Sequence, residues 1–171
     1  MQKIFLSLGS NLENKLLNIK NALKQINENV GKTIKVSSCY ETEPWGFNAN
    51  DWFLNIAIEL ETDFNPNELL QNCMWIENNL GRKRNKTEVG YSSRTIDIDI
   101  LFFGNEIINL PNLTIPHEHV HNRKFVLKPL CDIAPEFIHP TLKESIQSLL
   151  QKCTDKMELK RLDYQIEINN L

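Results

Sequence analysis

The stretch Thr95-Ile96-Asp97-Ile98-Asp99-Ile100-Leu101-Phe102-Phe103 constrains the fold more than any other part of the chain. Its alternation has the period of a β-strand, in which successive side chains point to opposite faces. Ile96, Ile98 and Ile100 can enter a core, while Asp97 and Asp99 stand together on the other face, their Cα atoms about 6.6 Å apart at ~3.3 Å of rise per residue. Such a strand needs a sheet that is covered on one side and open at the acids on the other. Two like charges at that spacing repel, and acids are depleted from strands, so the pair calls for a cation. Magnesium suits it, because that ion takes a few carboxylates and completes its shell with water and phosphate oxygens. Alone, the strand is also compatible with the solvated polar face of an exposed sheet.

The remaining segments supply neighbours for that strand. Residues 3 to 8 alternate, with Ile4, Leu6 and Leu8 on one side and Phe5 and Ser7 on the other. Ser10 and Glu13 read as a capping box, opening a helix in which Leu12, Leu16, Ile19, Leu23 and Ile26 recur at helical spacing before Gly31. Residues 33 to 40 read as a second strand. After the irregular ETEPWGFNAND, a third runs from Phe53 to Glu61, with Leu54, Ile56, Ile58 and Leu60 apolar and Phe53 and Asn55 on the opposite side. Asn65, Pro66 and Glu68 begin a helix carrying Leu69, Leu70, Cys73, Ile76 and Leu80, and Gly81 stops it. Gly104-Asn105 reads as a hairpin turn into Glu106 to Ile108. Residues 109 to 125 read as irregular, with short helices near Val126 to Ile133 and after His139, where Thr141 and Glu144 form a further capping box. The order βαββαβ predicts an α+β fold of the ferredoxin-like kind, a mainly antiparallel sheet with helices packed on one face, in a single domain over residues 1 to 171.

Upstream of the acidic strand, Arg82, Lys83, Arg84, Lys86 and Arg94 gather five cations in a chain whose net charge is -3. By itself this run fits a solvated loop. Beside a metal-binding acid pair it describes a phosphate site, where guanidinium forks grip oxygens in pairs and magnesium bridges neighbouring phosphates. Phe53 and Asn55 on a sheet surface could stack on a flat heterocycle and read its hydrogen-bonding edge, and a pterin or a nucleobase would fit. Trp45, Phe47 and Trp52 add either packing or a ligand wall. His117, His119 and His121 have the spacing of three imidazoles on one strand face, which admits zinc; Pro116 and polar neighbours favour a loop whose histidines donate to phosphate. Gly9-Ser10-Asn11 reads as a tight turn and cap, and neither G-K-[ST] nor G-x-G-x-x-G occurs. The four cysteines, Cys39, Cys73, Cys131 and Cys153, form no C-x-x-C pair and accompany no signal-like stretch, as expected of reduced thiols in the cytoplasm. No run of about 18 apolar residues is present, so no membrane span is expected.

These residues together resemble the 6-hydroxymethyl-7,8-dihydropterin pyrophosphokinases. The likeness is carried by LGSNL (8 to 12), SSCYETEPWG (37 to 46), FLNIAI (53 to 58), IENNLGRKR (76 to 84), SRTIDIDILFFGNEII (93 to 108) and LTIPHEHVHNRKFVLKPLCDIAPEF (113 to 137). The resemblance implies a magnesium-dependent enzyme that moves pyrophosphate from ATP to 6-hydroxymethyl-7,8-dihydropterin and releases AMP, a step of folate synthesis. It implies two magnesium ions on Asp97 and Asp99, and catalytic arginines Arg82 and Arg94 on a mobile loop. Glu77, Arg84, Ile100, Thr114, His117 and Arg123 would be further ATP contacts. Thr42, Pro44, Trp45, Phe53, Asn55, Tyr91 and Phe125 would form the pterin pocket. The protein would act as a cytoplasmic monomer, with neither nucleic acid nor membrane as partner.

The match has departures. Many relatives carry R-W-G-P-R before the acidic strand, whereas here Gly90-Tyr91-Ser92-Ser93-Arg94 stands in a loop two residues longer, with Tyr91 in place of the tryptophan and Lys86 as the stand-in for one arginine. Glu118 occupies a position where some relatives have tyrosine. Two rivals are a non-catalytic ferredoxin-like module that binds RNA or a regulatory ligand on its sheet, and an ordinary kinase that yields ADP. An RNA binder should present a basic sheet face with stacking aromatics, and Asp97 and Asp99 would repel its phosphates.

Overall fold

A computed structural model describes residues 2–44, 51–82 and 93–167. The elements are β1 (Gln2–Ser10), α1 (Lys15–Asn29), β2 (Lys32–Val36), β3 (Tyr40–Thr42), β4 (Phe53–Thr62), α2 (Pro66–Asn79), β5 (Asp97–Phe103), β6 (Ile108–Leu110), β7 (Leu113–Ile115), α3 (Lys124–Ile133), α4 (Ile146–Lys152) and β8 (Leu159–Arg161). The main sheet runs β5-β1-β4-β3-β8, with β2 also paired to β4, and every pairing is antiparallel. β6 and β7 make a separate ribbon.

The alternation seen in β1, β4 and β5 sorts the sheet into two faces. Ile4, Leu6, Leu8, Leu54, Ile56, Ile58, Leu60, Ile98 and Ile100 are buried together with Ile19, Leu23 and Ile26 of α1 and Leu69, Cys73 and Ile76 of α2. Each such aliphatic side chain contributes about 1.5–3 kcal/mol on leaving water. α2 begins as its sequence predicts: the Asn65 side chain accepts from the Glu68 N–H at 3.0 Å, and the Glu68 carboxylate accepts from the Asn65 N–H at 2.8 Å. Gly81, at φ +84°, takes the left-handed conformation that ends it.

Helices cover both faces of the sheet, not one. Phe5, Ala57, Leu101 and Phe102 form a second core with Val126, Leu127, Leu130 and Ile133 of α3 and Ile146 and Leu149 of α4. Local patterns change in other ways too. β1 continues through Ser10, because Leu8 to Ser10 pairs with Leu54 to Ile56 of β4. The cap of α1 is therefore Asn14, whose side chain accepts from the Leu17 N–H at 3.1 Å, and Glu13 sits at φ 54° outside the helix. The strand expected over 33 to 40 divides into β2 and β3, which pair with opposite ends of β4. Gly104 does turn the chain, but the next strand starts at Ile108 and pairs with β7 rather than returning along β5. Ser145 caps α4, accepting from the Ser148 N–H at 3.1 Å, while Glu144 is ion-paired to Lys152 at 2.5 Å. Thr141 lies before that cap, outside α4, and its N–H donates to His139 Nδ1 at 3.2 Å. No helix of the described residues is long and apolar enough to cross a membrane.

Candidate active site

α3 and α4 cover only part of their sheet face, and the uncovered part floors a cleft of about 880 Å³. The register explains where the boundary falls. On β1, Ser7 lies between Asp99 and Ala57, and Gly9 between Asp97 and Asn55. A register shift between Phe5 and Leu6 inserts one extra residue in β5, so Leu101 and Phe102 both join the α3 side. One face of β5 is thus acidic at its start and apolar at its end. Gly9 keeps the floor flat: a Cβ there would stand 2.7 Å from Asn55 Oδ1.

The acids are unequally placed. Arg82 Nη1 donates to both Asp97 Oδ1 and Glu77 Oε1. Arg94 Nη1 reaches Asp97 Oδ2 at 2.5 Å, and its guanidinium lies 5.5 Å from the Phe53 ring centre. Burial opposes ionisation of Asp97, yet the Arg94 and Arg82 charges hold its carboxyl below the ordinary range. Glu77, its side chain only 2% exposed, also accepts from the Ile98 N–H at 2.8 Å, so one carboxylate ties α2, Arg82 and the peptide between the two aspartates. Asp99 has no hydrogen bond or ion pair among the described residues, and burial together with the Asp97 charge pushes its pKa up to about 7. A half-buried carboxylate without a partner beside an ionised one is a place for a cation.

Asn11 contributes what its motif does not advertise. Its Oδ1 accepts from the Arg94 N–H at 2.8 Å, its Nδ2 donates to Ser93 Oγ at 3.0 Å, and its own N–H donates to the Arg94 carbonyl at 3.2 Å. Gly9-Ser10-Asn11 is therefore a strand end that anchors Arg94, not a turn with a helix cap. On the other wall, Asn55 Nδ2 donates to Thr42 Oγ1 at 2.7 Å in a buried pair.

His117, His119 and His121 do not share a strand face. They follow β7 in a loop and short 3₁₀ turn, with His117 and His119 rings 6.0 Å apart while His121 lies 6.4 Å from His139. No group of three or more histidine, cysteine or acidic side chains among the described residues could hold a metal by itself. His117 Nδ1 accepts from the His119 N–H at 3.2 Å, which leaves the ring proton on Nε2. Burial, with the Arg123 charge second, lowers its pKa from 6.5 to about 4. Burial also lowers that of His139, whose Nδ1 accepts from Thr141 and Leu142 N–H groups. A depressed histidine pKa favours the fold above the unfolded value, and that contribution is lost as pH falls through the folded one. Asp99 contributes in the opposite direction over the same window, so the histidine effect is read as a difference: as pH falls from 6.5 to 4 the wild type should lose melting temperature relative to His117→Asn, with nitrogen NMR showing His117 neutral at pH 5.5 in the native protein. A His117 signal already protonated at pH 5.5 would contradict this.

Of the residues singled out from sequence, Thr42, Phe53, Asn55, Glu77, Arg82, Arg94, Asp97, Asp99, Ile100, Thr114, His117, Arg123 and Phe125 all line this one cleft. Ile100 does so with its side chain in the core, only 4% exposed. Pro44 is not on the wall, where its neighbour Glu43 is. Trp45, Phe47, Lys83, Arg84, Lys86 and Tyr91 lie outside the described residues. Sequence reasoning missed Ser7 and Gly9 as floor residues. The phase of β1 could have found them, because Ser7 and Gly9 alternate with Leu6 and Leu8. Leu70, Gln71 and Met74 of α2 and Pro111 to Leu113 of the β6–β7 ribbon also face the cleft, beside Thr114.

The chain is similar to known proteins in sequence and in fold. Residues 5–135 match the family model described as 7,8-dihydro-6-hydroxymethylpterin-pyrophosphokinase. The chain is 41% identical over 133 residues to the 2-amino-4-hydroxy-6-hydroxymethyldihydropteridine pyrophosphokinase of Bacillus subtilis, covering 77% of this chain and 78% of that protein. It is 38% identical over 154 residues to the folic acid synthesis protein fol1 of Pneumocystis carinii, covering 90% of this chain and 20% of that one. Among solved structures, a wild-type HPPK-DHPS chain of Plasmodium falciparum superposes with a TM-score of 0.73 at 20% identity, over 88% of this chain and 44% of that one, a likeness of fold alone. The chain therefore spans a fifth of the fungal protein and less than half of the Plasmodium chain.

Proposed function

The chain belongs to the 7,8-dihydro-6-hydroxymethylpterin-pyrophosphokinase family, and on that premise we propose that its cleft transfers pyrophosphate from ATP to 6-hydroxymethyl-7,8-dihydropterin in folate biosynthesis. The products are AMP and (7,8-dihydropterin-6-yl)methyl diphosphate. The observation that carries this reading is the junction of two walls on one floor: the Asp97–Asp99 pair with Arg82 and Arg94, and next to it the Phe53, Asn55 and Thr42 cluster.

Asp97 and Asp99 fit two magnesium ions. Asp99 has no competing partner, and a donor set of only two carboxylates leaves positions for water and phosphate, as magnesium prefers. The ions would supply charge neutralisation along the triphosphate. The protein's own side chains do the rest. Arg82 and Arg94, which are ion-paired to Asp97, turn to the β- and γ-phosphates. Arg123 and His117, the latter through its Nε2 proton, hold the phosphate tail, with Thr114, Ile100 and Glu77 nearer the nucleoside; Arg84 is assigned to ATP from the family pattern. Phe125 and Phe53 sandwich the pterin ring, and Asn55, oriented by Thr42, reads its edge. Trp45, Tyr91 and Pro44 complete that pocket. The hydroxymethyl oxygen attacks the β-phosphorus, its bond to that phosphorus forms as the bond to the bridging α–β oxygen breaks, and AMP leaves. Negative charge accumulates between anionic groups, and fixed guanidinium groups offset it. No strong base is assigned, since a loose transition state needs none.

The sheet order β5-β1-β4-β2 supports a ferredoxin-like description of the central unit. Free thiols, with Cys39 and Cys73 buried, suit a cytoplasmic setting. We take the chain to work as one domain and as a monomer, without nucleic acid or membrane. The test is the nucleotide product when protein, ATP, magnesium and the pterin alcohol are combined and resolved by chromatography. AMP is expected; ADP would indicate an ordinary kinase, and no turnover a binding module.

A further inference from the structure

The pterin side of the cleft is braced from behind by a segment beyond the family match, which ends at residue 135. β8 lies antiparallel to β3, with Leu159 opposite Thr42, Lys160 opposite Glu41 and Arg161 opposite Tyr40. The bonding extends past both ends of the pair. The Leu162 N–H donates to the Cys39 carbonyl at 2.9 Å, and the Glu158 N–H donates to the Glu43 carboxylate at 3.3 Å. Ile166 is buried in the core beneath α1 and α2, and Leu162 packs against it, which ties the segment down. Without β8, the three-residue β3 would be an open edge carrying Thr42.

The same segment reaches the start of β4. Lys160 Nζ lies 4.5 Å from the centre of the Trp52 ring while ion-paired to Glu158 at 3.1 Å. The Trp52 carbonyl accepts from Lys15 Nζ at 3.1 Å, and Lys15 is ion-paired to Glu41 at 2.8 Å. Trp52 is thus held at its ring by β8 and at its backbone by α1, and the next residue is Phe53, on the cleft wall. An ammonium over an indole face is the most favourable cation–π pair.

We infer that β8 is a positioning element for the substrate side of the cleft and that Lys160 is its positioning residue, acting through Trp52 and β3 on Phe53, Thr42 and Asn55 without touching substrate. This rests on the reading of those three residues as the pterin pocket. The proposed ATP contacts lie on α2, β5, β7, the segments just after α2 and just before β5, and the β7–α3 loop, whereas β8 pairs with β3, so the two ligands should respond differently.

The experiment measures binding of 6-hydroxymethyl-7,8-dihydropterin and of a non-hydrolysable ATP analogue by calorimetry, in full-length protein. Lys160→Met keeps the apolar stem and removes the charge; it should weaken pterin binding about two- to five-fold and leave nucleotide binding unchanged. Lys160→Arg should restore wild-type pterin binding. Lys160→Pro, which interrupts the β8 ladder, should weaken pterin binding more than Lys160→Met does. Unaltered pterin affinity in Lys160→Met, or an equal loss for both ligands, overturns the inference while the functional reading stands. A wild-type protein that binds no pterin overturns that reading and the inference with it.

Discussion

Asp99→Asn should lose at least ~10³-fold in turnover and yet melt at a higher temperature than the wild type. The loss follows from charge: an amide of the same shape cannot bind magnesium as a carboxylate does, so the triphosphate would meet the cleft without its counter-charge. The gain in stability follows from the position of Asp99, where burial and the Asp97 charge raise its pKa from 3.8 to about 7. An acid whose pKa rises on folding costs stability as pH climbs from its unfolded value through its folded one, and at pH 8 that cost is fully present. Removing the charge should raise the melting temperature by about 2–4 °C at pH 8, with no gain at pH 4. Asp97→Asn should behave oppositely in stability, because Arg82 and Arg94 would then face each other across a neutral side chain. Scanning calorimetry at the two pH values, beside a turnover assay, checks both. A destabilised Asp99→Asn, or one retaining a tenth of its activity, would refute the assigned role.

Arg82→Ala and Arg94→Ala should each lower kcat by ~10²–10⁴-fold while changing ATP affinity less than about tenfold. These guanidiniums are partnered by Asp97, so moving them onto phosphate exchanges one ion pair for another and adds little net binding in the ground state. Their advantage appears when charge shifts toward the bridging oxygen. The same geometry predicts that either variant binds Mn²⁺ more tightly than the wild type in the absence of nucleotide, as one claim on Asp97 is withdrawn. Single-turnover kinetics and manganese titration measure the two effects. Equal losses in kcat and in affinity would mean that the arginines serve binding alone.

The strand residues of the cleft were legible because strand alternation is a local property, whereas Thr42, Glu77, Ile100, Thr114, Arg123 and Phe125 were expected only from the family resemblance. Asp97 and Asp99, Phe53 and Asn55 were each assigned a face from period two, and those faces coincide in the structure. The capping box of α2 was legible for the same reason, since Asn65 and Glu68 act within one turn. The box proposed at Ser10 and Glu13 failed because long-range pairing of β1 with β4 overrides a cap motif. The hairpin proposed at Gly104 failed similarly: the turn is local and real, but the strand after it pairs with β7. The second helical layer was underestimated because Phe5, Ala57, Leu101 and Phe102 meet only when three strands align and β5 carries its extra residue.

By itself the sequence determined the periodicities, the acid pair, the basic neighbours and the family. The first three follow from residue type and short spacing, which act through bonds and rotations along the chain, and the family from the resemblance of its motifs. Only the tertiary structure decided that both arginines grip Asp97 and leave Asp99 bare, that Asn11 anchors Arg94 across 83 positions, and that Lys160 braces Trp52. Those contacts join residues far apart in sequence, and which of them form depends on how strands register and layers pack, a free energy that no single segment contains.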